Sequence, residues 1–273
     1  MLSDKNLKEI IKKYKLQTKK SFGQNFLLDS NLTDKVAKCA GDLINYEVLE
    51  IGPGPGGLTR SILKINPKKL IVIETDERCI QALEKEFIKY RDKLKIISAD
   101  ALRIKEADYF KNKIKIISNL PYNIGTVLLF KWLSNAQNFE SLTLMFQKEV
   151  AERIVAKPCT KQYGRLSIMC QFLCDVNKHF DIKPTAFVPQ PKVTSSVVSL
   201  YPKKEYCVKD VNINNLSKLT QLLFSQRRKM VKSILKSKPN AKEILKKCDI
   251  SENKRPEELS IKNFALLSKE LKL

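Results

Sequence analysis

The sequence predicts an α/β fold: a mostly parallel seven-stranded sheet with an antiparallel edge pair, followed by a small helical domain. Three observations predict it. An apolar stretch, Val48-Leu49-Glu50-Ile51, breaks into Gly52-Pro53-Gly54-Pro55-Gly56-Gly57 and resumes as a helical run from Leu58. Apolar strand-like runs then alternate with helical periods as far as residue 157. After Gly164 the alternation stops, and from about residue 203 no strand-like run remains.

In order, residues 1–20 read as a basic arm, solvated when taken alone, with a helix-like segment from Asn6 to Tyr14. Ser21-Phe22-Gly23-Gln24-Asn25-Phe26-Leu27-Leu28-Asp29 brackets polar amides and a glycine with two aromatics. It reads equally as a loop closing over a ligand or as the cap of a helix over 31–40. Strand one covers about 46–51, with its helix over 57–66. Strand two covers 69–74, with a helix over 76–90 carrying Ile80, Leu83, Phe87 and Ile88 on one face. Strands follow at 94–98, 114–118 and 142–146, then a helix over 148–157 and another over 166–172. Runs 174–182 and 193–201 have no long helix between them, so they form the antiparallel edge pair. A helix over 215–236 places Gln226-Arg227-Arg228-Lys229 mid-helix, with Leu216, Leu219, Leu222, Leu223, Val231 and Ile234 toward a core. A last amphipathic helix covers 263–271. The domain plan is therefore an arm (1–20), an α/β domain (21–202) and a helical domain (203–273).

Strand, glycine turn and helix let a backbone approach a nucleotide-like ligand closely. Gly52, Gly54 and Gly57 fit the dinucleotide spacing G-x-G-x-x-G; Glu50 with Gly52, Gly54 and Gly56 fits the E-x-G-x-G-x-G spacing of S-adenosylmethionine (SAM) methyltransferases. Glu74, at the end of strand two, is placed to accept hydrogen bonds from both ribose hydroxyls. These marks support an adenosine-bearing cofactor and leave its identity open. Short βα turns put Gly52–Gly56, Glu74, Asp100 and Asn119–Tyr122 at one crevice of a Rossmann-like sheet.

The 273 residues carry 51 Lys and Arg against 29 Asp and Glu, a net +22, which favours a polyanionic partner such as nucleic acid. No apolar run nears the roughly 18 residues of a membrane span, and no signal-peptide core is present, so no membrane is expected. Seven scattered cysteines without a C-x-x-C pair suit reduced thiols in the cytoplasm. The single histidine, His179, sits in a strand-like run without an evident partner and is read as structural. No metal site is expected. Nothing calls for more than a monomer.

Asn119-Leu120-Pro121-Tyr122 offers no strong nucleophile and no good base. Its bland reading is a proline turn with a packed tyrosine. An Asn oxygen beside a proline-fixed carbonyl nevertheless makes two acceptors suited to an exocyclic NH2 on a planar base. Such acceptors favour the pyramidal amine in which the lone pair is free. Tyr122 can stack on the base, and Phe187, from the loop Phe187-Val188-Pro189-Gln190-Pro191-Lys192-Val193, on its other face.

With these residues in view, the chain resembles the ribosomal RNA adenine dimethyltransferase family, and within it the branch that modifies the small-subunit (16S) RNA. The resemblance runs over nearly the whole chain. It is carried by Phe22-Gly23-Gln24-Asn25-Phe26-Leu27, Glu50 to Gly56, Glu74, Asp100-Ala101, Asn119 to Tyr122, Phe187 to Val193, and Phe224-Ser225-Gln226-Arg227-Arg228-Lys229. It implies a SAM-dependent methyltransferase fold. Gln24, Asn25 and Leu27 would lie at the cofactor from an N-terminal flap, Gly52 and Gly54 at its methionine portion, and Glu74 at the ribose. Asp100 and Ala101 would meet the adenine, and Asn119 would serve cofactor and target amine. It also implies two methyls on each of two adjacent adenosines near the 3′ end of the RNA, in immature subunits. The related enzymes that dimethylate large-subunit RNA are the nearest rival; Pro-Lys-Val and Gln-Arg-Arg-Lys favour the small-subunit branch. Two readings from other classes stand beside this one: an assembly factor for which methylation is secondary, and an NAD-dependent oxidoreductase.

Overall fold

The computed structural model describes residues 7–16 and 25–271. The expectations for residues 1–6 and 17–24, Gln24 among them, lie outside the described residues. The helices that frame the first half are α1 (Leu7–Lys13), α2 (Ser30–Lys38), α3 (Gly57–Lys64), α4 (Glu77–Glu86) and α5 (Gly125–Leu133). Between them run β1 (Phe26–Leu27), β2 (Glu47–Ile51), β3 (Lys69–Glu74), β4 (Leu94–Ser98), β5 (Ile114–Asn119) and β6 (Phe139–Gln147). Next come α6 (Lys148–Val155), α7 (Arg165–Leu173), β7 (Cys174–Ile182), β8 (Phe187–Val188) and β9 (Ser195–Pro202). The chain ends with α8 (Ile213–Ser225), α9 (Val231–Ile234), α10 (Ala241–Lys247) and α11 (Ile261–Glu270).

Seven strands form one sheet in the order β4-β3-β2-β5-β6-β9-β7; β1 and β8 form a separate antiparallel pair, Leu27 opposite Phe187. β2 through β6 pair in parallel, and β9 runs antiparallel to β6, with Met145 opposite Val197. Strands covered on both faces must be apolar along their whole length. Val48, Leu49, Leu70, Val72, Ile116, Ile117 and Leu144 are accordingly buried. The strand order reverses between β2 and β5. The carboxyl ends of those strands, with β3 and β4 beside them, open the crevice typical of such a switch point.

The chain divides into two compact units. One holds the residues up to Ala151 with Asn177–Tyr201; the other holds Glu152–Val176 with the segment from Pro202 onward. The sequence plan assigns 152–176 to the first domain. In the structure α7 packs on α8 and α11, which groups this stretch with the second unit. There Phe224 stacks on Phe264 at 5.7 Å, and the Tyr163 hydroxyl donates to the Leu259 carbonyl at 2.9 Å.

The structure differs from these expectations at four points. The helix over 215–236 is two helices, and Gln226–Lys229 is the turn between them. Arg227 accounts for the break: Nε donates to Glu257 Oε2 at 2.5 Å, and its two Nη atoms donate to the Lys161 and Thr160 carbonyls at 2.7 and 3.0 Å. Leu222 is only half-buried. Ile88 is exposed, because α4 ends at Glu86 and a tighter 3₁₀ turn rotates the residues that follow. Finally, the described part of the N-terminal arm is packed. Leu7 and Ile10 are buried with Phe26, Cys79 and Ala82, and Glu86 Oε1 accepts from Lys13 Nζ (2.8 Å) and the Tyr14 hydroxyl (2.9 Å). Among the described residues no helix is long and apolar enough to cross a membrane.

Candidate functional site

A crevice of about 320 Å³ opens at the carboxyl edge of the sheet, within the size range of small-molecule sites. β2 delivers the chain into its floor. There Gly54 has φ +55°, and a Cβ on it would stand 2.8 Å from the Phe26 ring; at Gly56, φ +88°, a Cβ would stand 2.5 Å from Phe87. Glycine is required at both positions by conformation and by space. The Gly54 amide then donates to Glu74 Oε2 at 3.1 Å, tying the glycine turn to the end of β3.

Glu74 is buried, and Oε1 also accepts the Thr75 and Asp76 amides at 2.8 and 3.0 Å. Burial raises its pKa, and these backbone donors oppose the rise. Glu50, at 1% exposure, reaches the same crevice. Its Oε2 accepts from the Thr59 hydroxyl at 2.7 Å. Burial pushes its carboxyl up to about 8; the Thr59 bond works against this and the charge of Glu74 adds to it. The sequence reading used Glu50 only as the first letter of a motif. The signal was present: an acid inside an otherwise apolar strand, immediately before the glycines.

At the end of β4, Asp100 Oδ1 accepts the Leu102 amide at 2.9 Å, a turn that brings Ala101 and Leu102 to the crevice wall. Asn119 closes β5. Its Nδ2 donates to the Asn25 carbonyl at 3.1 Å, which fixes the amide so that Oδ1 is the acceptor left for another partner. Leu120, Pro121 and Tyr122 follow along the same wall. The Pro121 carbonyl accepts the Ile124 and Gly125 amides, so the turn runs directly into α5. The Tyr122 hydroxyl lies 2.5 Å from Ser195 Oγ, at the start of β9. Burial raises the phenol pKa, so Tyr122 is no base.

Asn25, Leu27, Gly52, Gly54, Glu74, Asp100, Ala101 and Asn119–Tyr122 thus line one crevice. Phe187 does not. It is 2% exposed, pairs with Leu27 and belongs to the apolar core, so in this structure it backs the wall from behind. His179 Nε2 lies 2.8 Å from Ser199 Oγ and is not among the residues that line the crevice. Among the described residues there is no group of three or more His, Cys, Asp or Glu able to hold a metal ion.

The lining suits a positively charged, adenosine-bearing ligand. Glu50 and Glu74 are buried carboxyl groups with no ion pair to a cation among the described residues, and a positively charged ligand in the crevice would favour their ionised forms. The glycine turn leaves room for backbone contact, and the acceptors Glu74 and Asp100 are spaced along one wall for an adenosine.

The family model described as ribosomal RNA adenine dimethylase matches residues 15–273. The chain is 47% identical over 261 residues to "Ribosomal RNA small subunit methyltransferase A" of Wolbachia sp. subsp. Drosophila simulans, covering 94% of this chain and 95% of the relative. It is 46% identical over 266 residues to the protein of the same name from Allorhizobium ampelinum, covering 96% of each. Among solved structures, a dimethyladenosine transferase from Plasmodium falciparum superposes with TM-score 0.79 at 29% identity, over 89% of this chain and 95% of that one. The 23S rRNA methyltransferase ErmE superposes with TM-score 0.71 at 22% identity, over 90% and 99%, a likeness of fold. With the crevice, the Asn119 acceptor and this match over nearly its whole length, the chain belongs to the ribosomal RNA adenine dimethylase family.

Proposed function

We propose that the crevice binds SAM and that the enzyme dimethylates the exocyclic amines of two adjacent adenosines near the 3′ end of small-subunit rRNA. It would act on immature subunits, in the cytoplasm and as a monomer. The observation that carries the chemical part is Asn119: its Nδ2 is held by the Asn25 carbonyl, so its oxygen is presented as an acceptor at the strand end. The small-subunit assignment is supported by the names of relatives 43–47% identical over nearly the full chain.

When bound, SAM supplies a methyl group already activated by its sulfonium. The residues of the chain then have three tasks. Glu74 holds the ribose hydroxyls, Asp100 and Ala101 border the adenine, and Glu50 offsets positive charge. Asn119 Oδ1 and the carbonyl of Leu120 accept the two hydrogens of the target amine. This directs the nitrogen lone pair out of the ring plane and stabilises positive charge developing on that nitrogen. Tyr122, fixed through Ser195, offers a face for the base to stack on. The target adenosine must leave its own stack to arrive there. The basic surface, net +22, holds the RNA backbone.

Calorimetric titration of the full chain with SAM and, separately, with NAD tests the cofactor assignment. Binding of SAM with no heat from NAD is expected. The reverse would replace the methyltransferase reading of the crevice with an oxidoreductase one.

A further inference from the structure

One partly buried cation beside the crevice has a role that the motifs do not reveal. Lys131, on α5, has three ammonium protons and three acceptors: the Ala101 carbonyl at 3.0 Å, the Ile104 carbonyl at 2.5 Å and Glu106 Oε1 at 2.9 Å. Its side chain is 25% exposed and that of Glu106 15%. Glu106 Oε1 also accepts from Trp132 Nε1 at 2.7 Å, so the carboxylate is anchored by two consecutive residues of α5. The segment gripped in this way, 101–106, leaves β4 and carries Ala101 and Leu102 into the crevice wall. Among the described residues it has no strand partner; local turns, such as Arg103 N to the Asp100 carbonyl, and the ammonium of Lys131 hold it.

The helix that supplies this cation is the one that follows Asn119–Tyr122. The Pro121 carbonyl accepts the amides of Ile124 and Gly125, which begin α5. Lys131 therefore spans two walls of one crevice: the turn after β4, on the adenine side, and the helix growing out of the Asn-Leu-Pro-Tyr turn after β5. A charge-assisted grip on two carbonyls and a carboxylate is directional; its loss takes the ammonium from the Ala101 and Ile104 carbonyls and leaves Glu106 Oε1 with Trp132 Nε1.

We infer that Lys131 is a positioning residue that sets the adenosine side of the cofactor crevice relative to the Asn119–Tyr122 wall. This rests on the reading of the crevice as a SAM site. Lys131 is not among the residues that line the crevice; it acts through Ala101 and the loop to Glu106.

The test uses the full chain and three ligand readouts. Lys131→Met keeps the length of the stem and removes every donor. Its dissociation constant for SAM should rise about tenfold, the loss expected for one charge-assisted contact transmitted through the loop. 5′-Methylthioadenosine, which keeps the adenosine and lacks the amino-acid portion, should weaken by the same factor. With SAM saturating, kcat on undermethylated small subunits should fall less than kcat/KM for SAM. Lys131→Arg, which retains a cation with several donors, should recover most of the affinity. Trp132→Phe, which leaves the three Lys131 contacts in place, should bind SAM within about twofold of the unmodified chain. If Lys131→Met does not fold, Glu106→Gln carries the test, with the same direction expected for both ligands. Unchanged SAM and methylthioadenosine affinity in a folded Lys131→Met protein would overturn the inference. So would a loss seen with SAM and absent with methylthioadenosine. Failure of the unmodified chain to bind SAM would instead overturn the cofactor reading, a separate result.

Discussion

Replacing Glu50 with Gln is expected to stabilise the unliganded protein in alkali and to leave it nearly unchanged in acid. Glu50 is 1% exposed, and burial, aided by Glu74, raises its carboxyl from 4.5 to about 8. Its folded pKa thus lies above its unfolded one. Between those values the native chain binds more protons than the unfolded chain, so stability is full below about 4.5 and falls as pH rises toward 8. At roughly 1.4 kcal/mol per pH unit, the interval carries on the order of 5 kcal/mol as an upper limit. Glu50 lines an open crevice that water can enter, so we expect about 2–4 kcal/mol at pH 8.5. Gln has nearly the same shape and no proton to lose. Thermal unfolding without ligand should show Glu50→Gln melting roughly 5–10 °C above the unmodified chain at pH 8.5. At pH 5 the two should melt nearly together. The same variant should bind SAM more weakly, since a carboxylate facing a cationic ligand has been removed. An equal difference in Tm at both pH values would refute the reasoning, because it would show that Glu50 does not titrate in this window.

Further predictions concern the crevice walls and the RNA. Gly56→Ala should destabilise by about 2–4 kcal/mol, from positive φ together with the Phe87 clash, whereas Gly41→Ala should lose only about 1 kcal/mol. Gly41 has φ +68° but open space around it, so denaturant titration of the pair separates conformational strain from overpacking. Tyr122→Phe and Ser195→Ala should each lower kcat/KM about three- to tenfold, and the double variant should be no worse than the poorer single one. Additive losses would mean the two residues act independently. Raising potassium chloride from 50 to 200 mM should weaken small-subunit RNA binding at least about 100-fold, measured by filter retention.

Most of the frame could be read from residues alone, and the reasons differ by element. Lys69–Glu74 is a strand where its apolar run places it, because a parallel strand covered on both faces is apolar nearly throughout; Leu94–Ser98, at the sheet edge and only partly buried, is marked by its short apolar run alone. The glycine turn, Glu74 and Asp100 converge because short βα connections leave few other places for them. What escaped the reading depends on partners distant in sequence. No glycine or proline marks the break at Gln226–Lys229; Arg227 makes it by reaching Thr160, Lys161 and Glu257. Phe187 looks like a free aromatic between prolines, yet its pairing with Leu27, 160 residues earlier, buries it. Lys131 looks like one more lysine in a lysine-rich chain until its three acceptors are seen. The packing of Leu7 and Ile10 against Phe26, Cys79 and Ala82 is equally invisible in a segment that reads as a basic arm.

In the proposed reaction Asn119 presents its oxygen to an adenosine amine beside a bound methyl donor. Incubating the protein and its Asn119→Ala variant with methyl-labelled SAM and small subunits lacking the modification, then digesting the RNA and identifying the labelled nucleoside, tests it most directly. Dimethyladenosine is expected in small-subunit RNA from the unmodified chain, with transfer abolished in the variant while particle binding persists. Transfer by Asn119→Ala at a near-normal rate would contradict it.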